Sequence, residues 1–376
     1  MTKVPLTCPD VGPEDARDAV EVIRSGDLEQ GMEVESLERQ FAEFTGARYA
    51  VAVNTGTAAL HLALLAHGVG QGSCVYSSAL TEPLVLDAIC QTGAIPVLVD
   101  VDPYTYTMSP QALESVLHSF THRLLTSTDR CDAVVAVHLF GQPCDMAPIR
   151  KLADANGLAT VEVAWDALGA SYHGSTVGQT GTAAFSFQRG RAINTGEGGM
   201  LTTDSELVAF KTRKLRDYGC DCCGRMDEHG FNYRMTDLIA ALATSQLERV
   251  NRHIQVQGSA AMSYAQGLCD VEGITLPSVL PGTLHAFQRY GVRLNQSFPL
   301  SPAGAVKYMA NRGIETRRGN PTVVPPIARA ACGNGRDPFP EAERVAEELL
   351  LLPMHSHMDT ESIAMVVQAL RAVAWE

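Results

Sequence analysis

Three stretches of this chain carry residue types suited to holding an anion. Thr55-Gly56-Thr57-Ala58 lies between a short apolar run and a helical one. A glycine there lets the backbone approach a ligand, and a helix N-terminus supplies N–H groups and a positive dipole. Ser186 ends an apolar strand-like run, Ala183 to Phe187, and offers a hydroxyl. Gly230-Phe-Asn232-Tyr-Arg-Met235 leads into a long helical pattern. In doubly wound sheets ligands sit at the carboxyl ends of the strands, which is where these polar interruptions fall. A fourth cluster, Cys220-Asp-Cys222-Cys223 with His229 nearby, has the residue types of a zinc site. Structural zinc sites pair two separated knuckles, and no second knuckle follows. The cluster therefore reads as a thiol-rich loop, and no metal is expected.

The elements that must position these residues alternate along the chain. A helix opens at Pro13, a residue suited to the first helical position, with Val20, Val22 and Ile23 on its expected buried face. Apolar runs at Tyr49–Val53, Val75–Ser77, Pro96–Val99, Ala133–Val137 and Ala159–Val163 read as strands. Helical patterns separate them at Ala58–Ala66, Pro83–Thr92, after Ser109-Pro110, and at Met146–Asn156. This βαβα rhythm predicts a mostly parallel sheet with helices on both faces, an α/β fold. After about residue 250 the rhythm changes. A long amphipathic helix is expected from Met235 toward Leu268, then a strand Gln288–Leu294, a helix Ala303–Arg312, a Pro-rich segment 321–326, and helices near 340–350 and 360–373. The expected organisation is a large domain over 1–250 and a smaller C-terminal α+β domain over 251–376.

Composition narrows the function classes. The 376 residues are 45% hydrophobic and 19% charged, an ordinary globular balance. Lys and Arg number 29 against 42 Asp and Glu, for a formal net charge of −13. So acidic a chain is a poor partner for nucleic acid, which needs clustered cations. No run reaches the ~18 apolar residues of a membrane span, and the first ten residues lack the apolar core of a signal peptide. The ten cysteines, mostly in apolar surroundings, suit a reducing compartment. A cytoplasmic protein is expected.

The motifs, taken in order, resemble the DegT family of sugar aminotransferases, pyridoxal-phosphate (PLP) enzymes of fold type I. The matching strings are Val51-Ala-Val-Asn-Thr-Gly-Thr-Ala-Ala-Leu-His-Leu-Ala-Leu64, Val137-His-Leu-Phe-Gly-Gln-Pro143, Gly196-Glu-Gly-Gly199 and Asn232-Tyr-Arg-Met235. The resemblance spans nearly the whole chain. It implies a homodimer whose active sites are built across the interface, and substrates among keto-sugars and cyclitols. It also implies a phosphate cup of Gly56, Thr57 and Ser186, completed by Asn232 reaching over from the neighbouring subunit.

The positions that handle the cofactor ring depart from that pattern. The family's Schiff-base lysine lies five residues after the serine, where this chain has Arg191. A guanidinium stays protonated and cannot act as that nucleophile. The aspartate that would hold the pyridinium nitrogen is Val163, and the small residue beneath the ring is Trp165. The stacking aromatic aligns with Glu82. With all four contacts changed, the expectation is that PLP is disfavoured and transamination lost. Glu82, Asp166, Gln188 and Arg191 should then line an emptied cavity. A carboxylate facing an arginine is a usable general base beside an electrostatic clamp. It is equally a pair that merely fills space. The expected ligand is a small anionic or phosphorylated molecule. Rival readings are a non-catalytic partner of an active paralogue, and an aminotransferase or dehydratase holding PLP non-covalently. Tyr104, Tyr106 and His173 fall on loops near the sheet ends and read as surface or core residues.

Overall fold

In the computed structural model, residues 4–121, 132–221, 224–226, 228–319, 322–323, 332–334 and 338–375 are described. Runs such as AVVAV at Ala133–Val137 lack polar alternation, and all five of its residues are buried. That is the signature of strands covered on both faces. Seven such strands form the central sheet, in the spatial order Tyr49–Val53, Gly199–Thr203, Thr182–Ser186, Ala159–Val163, Ala133–Val137, Cys74–Ser78 and Ile95–Val99. The last five pair in parallel. Gly199–Thr203 runs antiparallel to both its neighbours. The α/β, mostly parallel sheet expected from the sequence is present, with one antiparallel strand that the rhythm did not single out.

The carboxyl ends of these strands are shaped by the turns that follow. Thr55 caps the helix Gly56–Ala66 by accepting from the Ala58 N–H at 3.0 Å. That helix is apolar on nearly every face and is buried beneath the sheet. Gly56 is required by close approach: a Cβ there would lie 2.4 Å from the Ser186 Cβ. Gly199 is similarly placed, 2.4 Å from the Thr55 carbonyl oxygen. The two-residue strand Leu80–Thr81 leads into Glu82, whose extended backbone precedes the Pro83 that opens the next helix.

A second sheet, wholly antiparallel, orders Ile274–Thr275, Tyr290–Leu294, Leu349–Leu352 and Arg317–Arg318. Helices Val250–Leu268 and Thr360–Trp375 help enclose its core, in which Tyr264 and Tyr290 pack with ring centres 5.0 Å apart. Two links tie this half to the first. Thr322–Val323 pairs with Leu80–Thr81, just ahead of Glu82. The Asn334 side chain exchanges hydrogen bonds of 2.8 and 2.9 Å with the backbone of Leu98, covering the sheet's outer edge strand.

Three element assignments need correction. The expected long helix is two, Asp237–Leu247 and Val250–Leu268. Arg249 sits at the break and pairs with Asp15 at 2.8 Å, anchoring the N-terminal helix. The helix near 340–350 stops at Glu348, because Leu349–Leu352 joins the second sheet as its third strand. On the helix Pro13–Ser25, Val22 is buried, but Val20 and Ile23 are exposed, since its contact with Asp237–Leu247 uses the Asp15 and Val22 face. Tyr106 is core and Tyr104 is exposed. No helix among the described residues is long and apolar enough to cross a membrane.

Candidate functional site

Four charged side chains meet at the carboxyl end of the central sheet. Glu82 comes from the turn after Leu80–Thr81, and Asp166 from the turn after Ala159–Val163. Arg191 comes from the turn after Thr182–Ser186. Arg289 comes from the residue just before the second sheet's strand Tyr290–Leu294. Arg191 donates from Nη2 to both Glu82 oxygens, at 2.8 and 2.7 Å. Its Nη1 donates to Asp166 Oδ1. Arg289 makes the same connections from the other side, Nε to Asp166 Oδ1 at 3.3 Å and Nη2 to Glu82 Oε1 at 3.1 Å.

Burial decides how strongly these charges depend on one another. The side chains of Arg191 and Asp166 are 3% and 4% exposed, and those of Glu82 and Arg289 17% and 21%. Burial alone would raise the Asp166 carboxyl, but the two guanidinium groups outweigh it and hold it below the usual carboxylate range. Burial likewise opposes the charge on Arg191, and Asp166 and Glu82 more than offset that, raising its pKa. Two carboxylates and two guanidinium groups make a neutral set. Such a set is stable as a whole and intolerant of losing one member, at about 3–5 kcal/mol for a buried pair broken on one side.

On the side of the quartet that faces Val163 and Trp165 the space is nearly full. The cavity bounded by Glu82, Val163, Trp165, Asp166 and Arg191 holds about 10 Å³, room for roughly one water. No lysine lines it. Trp165 is buried, its ring centre 5.8 Å from the Arg191 guanidinium carbon. It lies in the turn beyond the strand rather than on it, yet shares the cavity with Val163 as the alternation predicts. Trp165 Nε1 and Arg191 Nε are buried without hydrogen-bond partners. These dimensions and donors do not fit a pyridine ring.

The remaining expected residues divide. Gly56 and Ser186 are in contact range, and Thr57 follows Gly56 at the helix N-terminus, so these three expected residues lie together. Gln188 does not line the cavity. Its amide donates to both Glu197 oxygens, at 3.3 and 3.4 Å, and its backbone forms a bridge with Gly196. Asn232 lies apart, on a cleft of about 280 Å³ with Asn54 and Arg234. Its carbonyl accepts from Asn54 Nδ2 at 3.3 Å. Cys222 and Cys223 lie outside the described residues, and among those described no group of three or more His, Cys, Asp or Glu could hold a metal. Sequence reasoning missed Arg289. Nothing in its neighbourhood distinguishes it from any charged residue at the start of a strand.

Comparison with known proteins places this geometry. A family model described as the DegT/DnrJ/EryC1/StrS aminotransferase family matches residues 9–371. The GDP-perosamine synthase of Caulobacter vibrioides is 37% identical over 349 residues, 91% of this chain and 90% of that one. The spore coat polysaccharide biosynthesis protein SpsC of Bacillus subtilis is 33% identical, covering 98% and 97%. Among solved structures, S. venezuelae DesV in complex with a ketimine intermediate superposes with a TM-score of 0.90 at 29% identity, over all of both chains.

Beside the quartet, His285 is buried and stacked on Phe287 at 3.9 Å, its Nδ1 accepting from the Phe287 N–H at 2.8 Å. Burial pushes its pKa down to about 3, against a smaller opposing pull from Asp166. Unfolded, the imidazole takes its proton near pH 6.5. Below that pH the unfolded state binds more protons than the folded state, so stability falls as pH drops from 6.5 toward 3. Between pH 7 and 5 this group alone should cost about 2 kcal/mol. Urea denaturation at the two pH values should show that loss in the wild type and a flatter dependence in His285→Phe. Equal slopes would mean the imidazole is protonated in the folded protein.

Proposed function

The chain belongs to the DegT/DnrJ/EryC1/StrS aminotransferase family, and from that premise we propose that it has given up PLP-dependent transamination and performs acid–base chemistry on a small sugar-, nucleotide- or cyclitol-like intermediate. One observation carries the reading: the chain's own Glu82, Asp166, Arg191 and Trp165 occupy the space where the family resemblance puts the cofactor ring, leaving about 10 Å³. The names of the relatives, a perosamine synthase and a polysaccharide biosynthesis protein, support a sugar-related substrate.

Within the quartet the roles are set by exposure. Asp166 is sealed in and pins Arg191. Glu82 is the more accessible carboxylate and is the candidate proton carrier. Arg191 fixes its orientation through two hydrogen bonds, and Arg289, the more exposed arginine, is the member that can release an oxygen of Glu82 toward a ligand. A carboxylate freed from one of its two guanidinium partners becomes a stronger base. A second reading, a non-catalytic subunit supporting an active paralogue, draws on the fact that both Glu82 oxygens are already engaged.

We read the assembly as a homodimer in which Asn232 serves the neighbouring subunit's cup. The exposed Ile23, Leu28 and Met32, the last 83% exposed, support a covered face in the N-terminal region. Light scattering at micromolar concentration should give twice the mass of the chain, and a monomer would overturn this part of the reading.

Incubation with PLP followed by borohydride should fix no cofactor to any lysine of this pocket, and a reducible adduct there would return the chain to cofactor chemistry. For the reaction itself, nucleotide-linked keto-sugars incubated in D2O should gain deuterium beside the carbonyl without added PLP. Glu82→Gln should lower that exchange by about 10²-fold or more. Transfer of nitrogen from labelled glutamate to the sugar would contradict the proposal. No exchange on any substrate, together with co-purification of a second aminotransferase chain, would favour the partner-subunit reading.

A further inference from the structure

Residues 4–10 form a strap held at its two ends. At one end Val4 is buried in the core of the second sheet and pairs with Ile314. Its N–H donates to the Gly313 carbonyl at 2.8 Å, and its carbonyl accepts from the Glu315 N–H at 2.9 Å. The Leu6 N–H donates to Glu315 Oε2 at 3.3 Å, and its carbonyl accepts from the Met354 N–H at 3.1 Å. At the other end three side chains converge on Asp10. His253 Nε2 donates to its Oδ2 at 2.7 Å. His357 Nε2 lies 3.3 Å from its Oδ1, and Arg249 Nε 3.5 Å from its Oδ2. Burial alone would raise the Asp10 carboxyl, but His253, His357 and Arg249 outweigh it and hold it below the usual carboxylate range.

Between these ends the strap is loosely fixed. Among the described residues, no backbone hydrogen bond holds Thr7, Cys8 or Pro9. They pass over the turn at Gly190 and Arg191, with Thr7 Cγ2 3.7 Å from where Gly190 would carry a Cβ. A space of about 30 Å³ remains beneath them, bordered by Asp10, Arg191, His253 and His355 among others. Its lining is poorly satisfied. His355 Nδ1 accepts from the His357 N–H at 3.2 Å, which puts the ring proton on Nε2, and Nε2 is buried without an acceptor. Arg191 Nε is orphaned as well. Buried donors without partners are costly, so it is the ends, above all the charge on Asp10, that keep the strap down. Leu6 and Thr7 also border a larger cleft of about 450 Å³, whose wall includes Arg289.

We propose that residues 7–10 are a strap that lifts, latched by Asp10 and hinged at Leu6, and that covers the turn carrying Arg191. Segments with few hydrogen bonds and much exposed backbone open locally at low cost. Lifting leaves the root at Val4 in place. It does not strand Arg249, which keeps Asp15 at 2.8 Å. The inference concerns the conformation of the chain and stands whether or not it catalyses a reaction.

Cys8 lies in the middle of the strap, half-buried, and its thiol reports the strap's position. Cys269 is exposed, and Cys74 and Cys144 are buried. Brief treatment of the full chain with a maleimide, read cysteine by cysteine by peptide mass spectrometry, gives all four rates in one sample. In the wild type Cys8 should react more slowly than Cys269. Asp10→Asn should speed Cys8 by about tenfold with Cys269 unchanged. His357→Gln should speed it by about threefold. That variant leaves the carboxylate beside Cys8 in place, so its acceleration cannot come from an easier ionisation of the thiol. Glu14→Gln removes the same charge from a carboxylate 4.0 Å from Arg249 but outside the strap, and should leave Cys8 within about twofold. Cys74 and Cys144 must stay unreacted, and a variant in which they react has lost the fold and is read through the other. Cys8 reacting as fast as Cys269 in the wild type would overturn the proposal. So would acceleration in Asp10→Asn with none in His357→Gln, no acceleration in either, or equal acceleration in Glu14→Gln.

Discussion

The constraint on which the site depends is the mutual neutralisation of Glu82, Asp166, Arg191 and Arg289. No member could be buried there alone, because an isolated charge in that environment would cost several kcal/mol. Each is tolerable because the other three are present. The consequence reaches the fold. Two of the four come from turns at the ends of adjacent parallel strands, one from the turn into a neighbouring helix, and one from the second sheet. The quartet therefore ties the two sheets together at the place where the open α/β architecture would otherwise leave a crevice.

That crevice separates the part of the scaffold that matches the family from the side chains that fill it here. The backbone features that build it, Gly56 against Ser186 and Gly199 against the Thr55 carbonyl, depend on close contacts that admit no Cβ. They survive in the strings that carry the family resemblance. The side chains that fill it project from turns, where substitution leaves the strands untouched. Framework and contents can thus change independently, and the framework says little about the chemistry.

Legibility in the sequence follows the same division. The parallel strands were readable because each is a short, unbroken apolar run, and Ala133–Val137 and Ala159–Val163 matched to the residue. The strand Gly199–Thr203, with its glycine and two threonines, has no such run and was not singled out. Glu82 was legible because it aligns with the family's stacking aromatic, Arg191 because it lies five residues after Ser186, and Asp166 because it follows Trp165. Arg289 was invisible because its partner Glu82 is 207 positions away, and only the packing of the second sheet brings them together. Gln188 does not line the filled cavity because its amide is held by Glu197, a contact that spacing cannot reveal. The long helix failed because its break falls at Glu248 and Arg249, with neither glycine nor proline to mark it.

A site that had only to be plugged would be plugged more economically by apolar side chains of the same volume, since burying an ion pair is often no better than burying hydrocarbon. Trp165 and Val163 show that the chain does place hydrocarbon there. Keeping four charges beside them calls for a different account. The quartet is graded, sealed at Asp166 and Arg191 and open to solvent at Glu82 and Arg289. Its open arginine is also a wall of the larger cleft. On the acid–base reading, an anion entering that cleft would draw on the guanidinium that Glu82 now holds. By reciprocity, whatever loosens Arg289 from Glu82 favours the anion to the same degree. A plug has no use for that coupling, whereas a carboxylate that must change its proton affinity when a ligand arrives requires it.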